Sequence, residues 1–292
     1  MDVVITYVDG LDPVWQKSYE EWTSTPILDK RFRDWGTLKY LLRGVEQNMP
    51  FVRKVHLVVS GESQVPEWVN REEVNIVLHE HIIPKEYLPT FNCNPIEMHL
   101  HCIEGLDEEF IYFNDDMFPM MPLKSTDFFE NGKGVIGMNR HVLSLDMYKK
   151  ICRNSDSAAR KAMGRKPNLF FLRPQHIPSP MRKSYSAELY KTLEPEIRAS
   201  ITRTRTGDNL NQYLFIDHLY LNGGIINRRL SSRHFSMGVA SPEKIESFIR
   251  KPNRSLVCIN DVQLSDKQYR AMHEMLHRAF EYTFPNKSKY EI

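Results

Sequence analysis

The chain has 292 residues, 41% hydrophobic and 26% charged, with a formal net charge of +2. That balance sustains a substantial core and excludes wholesale disorder, while so small a charge gives no argument for binding bulk nucleic acid. Cys93, Cys102, Cys152 and Cys258 stand far apart with no C-x-x-C pair, which argues against a zinc ribbon or a disulfide framework and for a reducing compartment.

In chain order, "DVVITYVDG" (2–10) is β-branched and stops at Asp9-Gly10. Leu38, Leu41, Leu42 and Val45 share one stripe, which predicts a helix over 36–48 with Pro50 beyond its end. "KVHLVVSG" (54–61) and "VNIVLHE" (74–80) read as strands ending on Ser60-Gly61 and His79-Glu80. A helix follows over 94–105, with Asn94 as N-cap, Pro95 in its first turn and Gly105 as its stop. "EFIYFNDD" (109–116) is the fourth strand. Apolar runs this continuous suit strands covered on both faces, and the strand–helix alternation predicts right-handed crossovers in an α/β sandwich.

Beyond residue 120, "ENGKGVIGMNRH" reads as a hairpin or a glycine-rich strand. Residues 144–172, with "RNSDSAARKAMGRKP", read as a basic, mobile insertion or lid. Helices are predicted over 184–199, 208–222, 241–250 and 265–281, the last carrying Tyr269, Met272, Leu276 and Phe280 at helical spacing. A single domain is expected, with an α/β core over 1–135, the insertion over 136–172 and a mainly helical portion over 173–292. No stretch reaches the ~18 apolar residues of a membrane span, and no signal peptide precedes the first strand, so a cytoplasmic protein is expected.

Ligands of α/β sheets gather beyond the carboxyl ends of the strands. If these strands are parallel, Asp9, Ser60, His79, Asn114, Asp115 and Asp116 all lie at such ends. Clustered carboxylates suit Mg²⁺ or Mn²⁺ shared with substrate phosphates, and a pair of solvated turn aspartates is the competing reading. In "KRFRDWG", Arg31 and Arg33 flank Phe32 and offer bidentate forks for phosphate, with Asp34 orienting one of them or capping the next helix.

Glu97 and His101 lie four apart on one helix face, with His99 on another side, and they lack the spacing of a zinc helix. "RPQHIPSP" holds His176 among three prolines. "TRTRTGDN" sets Arg203, Arg205 and Asp208 ahead of a helix, and "LVCINDV" ends on Asn260-Asp261, an echo of Asn114-Asp115. P-loop, G-x-G-x-x-G and G-x-S-x-G motifs are absent, which removes several common enzyme classes.

Four blocks in order resemble the Stealth family of sugar-phosphate transferases. These are "DVVITYVDGLDP", the stretch from "RFRDWGTLKYLLRGVEQN" to "FIYFNDDMF", "QHIPSPMRK…ITRTRTGDNLNQYLF", and "RKPNRSLVCINDVQLS…FEYTFPNKSKYE". Departures are Cys93 where the family pattern has Ser, Cys102 where it has Arg, and Gly44 where it has Ser. In the third block, Asp208 and Asn209 compete for the acidic position.

The resemblance implies a Rossmann-like or GT-A-like mixed, mostly parallel sheet flanked by helices. It also implies transfer of sugar-1-phosphate from a nucleotide-sugar donor to a glycan hydroxyl, with release of nucleoside monophosphate, in capsule or other surface polysaccharide synthesis. Asp9, Asp115 and Asp116 would hold a divalent cation, Mg²⁺ or Mn²⁺, with Asn260 and Asp261 as alternative ligands. Arg31, Arg33, Asp34, Asp12, Arg203 and Arg205 would bind donor phosphate. His176 would be the base, and Asp9, Asp116, Arg33 and Arg205 would share in catalysis. Glu97, His99, His101, Asn114 and Asp208 would contact substrate or support residues that do. The acceptor would be free or lipid-linked, and attachment to the inner membrane peripheral, with no nucleic-acid partner. Two alternatives are a metal-dependent glycosyltransferase releasing nucleoside diphosphate and a non-catalytic glycan-binding module.

Overall fold

A computed structural model describes every residue except Thr25 and Leu28, and every side chain except those and Asp29 and Lys30. The chain begins with β1 (Asp2–Thr6), α1 (Pro13–Trp22), α2 (Asp29–Phe32), α3 (Leu38–Asn48), β2 (Val55–Val59) and β3 (Val74–Leu78). It continues through α4 (His79–Ile82), α5 (Cys93–His99), β4 (Glu109–Asn114), β5 (Met117–Pro119), β6 (Phe129–Glu130), β7 (Lys133–Val135) and β8 (Met138–His141). Next come α6 (Met147–Ala162), β9 (Phe171–Pro174), β10 (Ser179–Arg182), α7 (Lys183–Thr192), α8 (Glu194–Ser200) and α9 (Tyr213–Leu221). It ends with β11 (Ile225–Ile226), β12 (Ser232–Ser236), α10 (Pro242–Arg250), β13 (Leu256–Asn260) and α11 (Asp266–Thr283). The fold is mixed α/β, as the alternation of patterns predicts.

Two compact units share the chain. The first comprises Met1–Asp2, Val77–Tyr112 and Thr126–Arg229, and the second Val3–Ile76, Phe113–Ser125 and Leu230–Ile292. In the second unit β1 pairs in parallel with β2, from Val3 against Val55 to Thr6 against Val58, and β3 lies on the other side of β2. Val3, Val4, Ile5, Val55 and Leu57 are fully buried, which is why these strands read as unbroken apolar runs rather than alternating ones. α3 buries Leu38, Leu41, Leu42 and Val45, the stripe its spacing predicts. A separate small sheet joins β13 to β12 in parallel and to β5 antiparallel, with Cys258 opposite Met117. Phe280 of α11 packs at 5.4 Å from Tyr40 and 4.6 Å from Phe118, so the C-terminal helix closes the core of this unit.

In the first unit β10 runs antiparallel to β4, with Pro180 opposite Ile111. β8 and β9 pair antiparallel from Met138–Pro174 to His141–Phe171. α6 makes a regular helix of residues that read from sequence as an insertion, with Asp146 as N-cap accepting from the Lys149 amide at 2.8 Å. The helix predicted over 94–105 ends at His99 and passes into a single tight turn, Leu100–Cys102. The one predicted over 184–199 is two helices, because Pro195 cannot continue α7 but fits the first turn of α8. α1 was not predicted from the sequence; it starts at Pro13 behind Asp12, an N-cap followed by proline at the first helical position. Among the described residues no helix is long and apolar enough to cross a membrane.

Candidate active site

The loop after β1 is held from both sides. The Asp9 amide donates to Gln64 Oε1 at 2.7 Å, and Gln64 Nε2 donates to the Asp9 carbonyl at 3.0 Å and to Asp12 Oδ2 at 2.7 Å. Ser63 Oγ also donates to Asp12 Oδ2, at 2.6 Å, while Asp12 Oδ1 caps α1 through the Val14 amide at 2.9 Å. Burial pushes the Asp12 carboxyl up, and the donations from Ser63, Gln64 and Val14 outweigh it and lower the pKa. Asp12 therefore works as a cap and a brace. Gly10 is required where it stands, because a Cβ there would lie 2.5 Å from the Phe32 carbonyl oxygen, which accepts from the Gly10 amide at 2.7 Å.

Acidic groups surround two tyrosines in the second unit. The Tyr7 hydroxyl donates to Asp34, and burial together with the charges of Asp34, Asp9 and Asp115 holds its pKa above the ordinary value. Asp34 Oδ1 accepts from the Gly36 amide at 2.9 Å, and burial followed by the nearby Asp9 charge leaves the carboxyl raised. Tyr269 on α11 sits within the fields of Arg33, Asp34, Asp261 and Asp9. A cavity of about 160 Å³ opens beside this cluster, lined by Tyr7, Asp9, Asp34, Gly36, Leu38, Ser63, Gln64, Val65, Pro66 and Trp68.

Asp115 and Asp116 occupy the turn between β4 and β5. Burial, then the neighbouring Asp116 and Asp34 charges, pushes the Asp115 carboxyl up to about 8. Burial brings Asp116 to about 6, moderated by the Cys258 thiol, which donates to Asp116 Oδ2 at 3.3 Å. Among the described residues nothing donates to the buried Asp116 Oδ1. An orphaned buried carboxylate oxygen beside a second strained carboxylate is the pattern a divalent cation relieves, so this set fits one. Asn114 ends β4 in the same stretch. Asn260 ends β13, and its side-chain amide donates to the Asp261 carbonyl at 2.9 Å.

Arg33 is a held cation beside Asp261. Its guanidinium lies 3.6 Å from Asp261 Oδ1 and stacks over Tyr269 at 4.6 Å and Trp35 at 5.5 Å. Asp261 is fixed in turn by the Trp35 indole at 3.0 Å and the Val262 amide at 2.6 Å. Arg31 is exposed at the end of α2. Asp9, Asp12, Arg31, Arg33, Asp34, Asn114, Asp115, Asp116, Asn260 and Asp261 thus all belong to the second unit.

The remaining predicted residues belong to the first unit. Glu97 is buried, accepting from the Gln212 amide at 3.0 Å and the Tyr112 hydroxyl at 3.4 Å, and burial raises its carboxyl. Arg205 donates to the Cys93 sulfur, whose thiol burial pushes up to about 12. His99 is fixed between the Pro95 carbonyl at 2.7 Å and the Tyr190 hydroxyl at 3.0 Å, and burial lowers its pKa. His101 falls to about 4, through burial first and then the adjacent His99 charge. His176 Nδ1 meets the Tyr213 hydroxyl at 3.4 Å. Arg203 donates to the Leu88 carbonyl at 3.0 Å. Asp208 is exposed, whereas Asn209 is the buried hub, accepting from Asn92 at 3.0 Å, Asn94 at 3.2 Å and the Thr206 amide at 2.8 Å.

Sequence reasoning missed Tyr7, Ser63, Gln64 and Cys258. Tyr7 directly follows β1 and Cys258 sits inside β13, and both read from sequence as core. Tyr269 was seen only as one of the helical apolar stripe of α11.

The profile described as Stealth protein CR2, conserved region 2, matches residues 31–136. The capsular polysaccharide phosphotransferase WcwK of Streptococcus pneumoniae is 31% identical across the whole of this chain and 99% of its own. The receptor polysaccharide phosphotransferase WefC of Streptococcus oralis is 30% identical over the same shares. The capsular polysaccharide phosphotransferase LcbA of Aeromonas hydrophila is 33% identical over 89% of this chain and 78% of its own. Among solved structures, the inositol-1-phosphate CTP transferase from T. maritima aligns with 94% of this chain at 15% identity and a TM-score of 0.38, too remote to carry an argument.

Proposed function

Because this chain belongs to the Stealth family, we propose that it is a sugar-phosphate transferase of capsular or other surface polysaccharide synthesis. The observation that carries the reading is full-length similarity to WcwK, which spans both units rather than one motif. In the reaction, an acceptor hydroxyl oxygen attacks the sugar-linked phosphorus of a nucleotide sugar. The phosphoanhydride bond breaks, nucleoside monophosphate departs, and the hydroxyl proton passes to a base. Such transfer depends on positioning and on neutralising charge.

Arg33 suits a phosphate role, because its stacking on Tyr269 and Trp35 fixes the plane of its fork. Arg31, Arg203 and Arg205 are further phosphate-binding candidates in this reading. Asp9, Asp115 and Asp116, with Asn260 and Asp261 as alternates, would hold Mg²⁺ or Mn²⁺, which when bound neutralises the diphosphate and polarises the phosphorus. Asp34 orients the cluster through Tyr7, and His176 is the assigned base.

The test is a panel of nucleotide sugars incubated with a polysaccharide acceptor and Mg²⁺ or Mn²⁺, read by the nucleotide released. Nucleoside monophosphate is expected. Nucleoside diphosphate would mean glycosyl transfer instead, and no release from any donor would leave a glycan-binding module. His176→Ala, with donor and metal binding retained, should cut turnover by about 10²–10⁴-fold, and survival within a few fold would remove it as the base.

A further inference from the structure

Residues 140–173 of the first unit carry nine Lys and Arg against two Asp, in a chain whose overall charge is only +2. Three of the nine are paired with carboxylates, Lys149 and Arg160 with the two aspartates and Lys161 with Glu196 at 2.6 Å, which leaves Arg140, Lys150, Arg153, Arg165, Lys166 and Arg173 as the excess. Asp146 caps α6 and pairs with Lys149 at 3.1 Å, and Asp156 is buried against Arg160 at 2.8 Å. Two short apolar segments in the same region are turned outward. Leu143 is 65% exposed and Leu145 80%, and before β9 Leu169 is 66% and Phe170 45% exposed.

These segments belong to one patch. His141 and Phe171 are paired across the β8–β9 ladder, so the chain leaves β8 and enters β9 at the same end. Arg153 of α6 joins them: it donates to the Val142 carbonyl and to Ser144 Oγ, and its guanidinium lies 4.8 Å from the Phe171 ring. The run from Gly164 to Phe170 is exposed throughout, so Arg165 and Lys166 share one short exposed segment with Leu169 and Phe170. Single exposed leucines need no explanation, but four large exposed apolar side chains in the two segments that leave one strand end, with Arg153, Arg165 and Lys166 among them, do.

We propose that this end of the β8–β9 ladder docks on a bilayer rich in anionic phospholipid. The leucines and Phe170 enter the headgroup boundary, and Arg165, Lys166 and their neighbours meet the lipid phosphates. A nucleic-acid partner is disfavoured because a single aromatic among aliphatic side chains gives bases little to stack on. The surface stands independently of the transferase reading.

The full chain is sedimented with vesicles of phosphatidylcholine alone and of phosphatidylcholine with phosphatidylglycerol. Binding is expected only with the anionic lipid, weakening in high salt. Leu143→Ser/Leu145→Ser/Phe170→Ser and Arg165→Ser/Lys166→Ser should each lower binding at least about tenfold. Gel filtration and thermal melting accompany both variants, and the basic pair, being wholly exposed, carries the test if the apolar variant melts. Equal binding to both vesicle types, no binding to either, or wild-type binding by the folded variants overturns the proposal. Loss of a dimer in the variants, without a change in vesicle binding, overturns it in favour of a second copy.

Discussion

Gln64 shows how one amide can set the position of an acid far away in sequence. Its oxygen accepts from the Asp9 amide while its nitrogen donates to the Asp9 carbonyl and to Asp12, a pattern that only a carboxamide satisfies. Gln64→Leu leaves buried donors and acceptors unmatched and should cost about 1–3 kcal/mol in denaturant unfolding. Gln64→Glu keeps the shape but sets a second carboxylate against Asp12 where an amide nitrogen donated, so it should destabilise the chain at least as much as Gln64→Leu in the same unfolding. Arg33→Lys keeps the charge and loses the stacked plane over Tyr269. Its expected result is a fall in kcat/KM of about tenfold or more, with the melting temperature nearly unchanged.

Among the elements, α3 and β5 approach so closely that a Cβ at Gly44 would lie 2.8 Å from the Pro119 carbonyl oxygen. Gly44→Ser should therefore destabilise by about 1–3 kcal/mol, read from the unfolding midpoint, because backbone rather than a flexible side chain must yield. On α9, Asp217 is fully buried, and neither carboxylate oxygen has a partner among the described residues. Burial first, and then Asp156, holds its carboxyl well above the ordinary range, against the opposing charge of Arg160. The folded chain thus keeps a proton that the unfolded chain releases, so stability falls as pH rises above about 4. Asp217→Asn should flatten that decline in a series of melts across pH, and an unchanged slope would show that other groups cause it.

For the whole molecule, the cation prediction has a readout apart from turnover. Chelation should abolish nucleotide release, and Mg²⁺ or Mn²⁺ should restore it. Calorimetric titration of the metal alone should give binding that Asp116→Asn weakens by about tenfold or more, since it removes the charge from a buried oxygen that nothing else among the described residues satisfies. Added metal should also raise the melting temperature of the wild type, because a ligand that binds only the folded chain stabilises it.

The strand order of chemistry was readable along the chain. Asp9, Asp115, Asp116 and Asp261 each stand at the end of an apolar run, and a one-dimensional pattern records where a core ends because burial selects residue type. The helix at Pro13–Trp22 and the break at Pro195 were not predicted from the sequence, which reads as one helix over 184–199, although an N-cap followed by proline and a proline inside a helical run are the local marks of each. Which of those acids are neighbours was another matter. Asp12 turned out to be occupied as a cap, Asn209 rather than Asp208 became the buried hub, and Tyr7, Gln64 and Cys258 gained their roles from partners tens to hundreds of residues distant. Hydrogen bonds of that span depend on how strands register and helices pack, and side-chain chemistry at one position carries no mark of what will be brought against it. Residue types set where the polar ends fall, and tertiary packing chose the pairs.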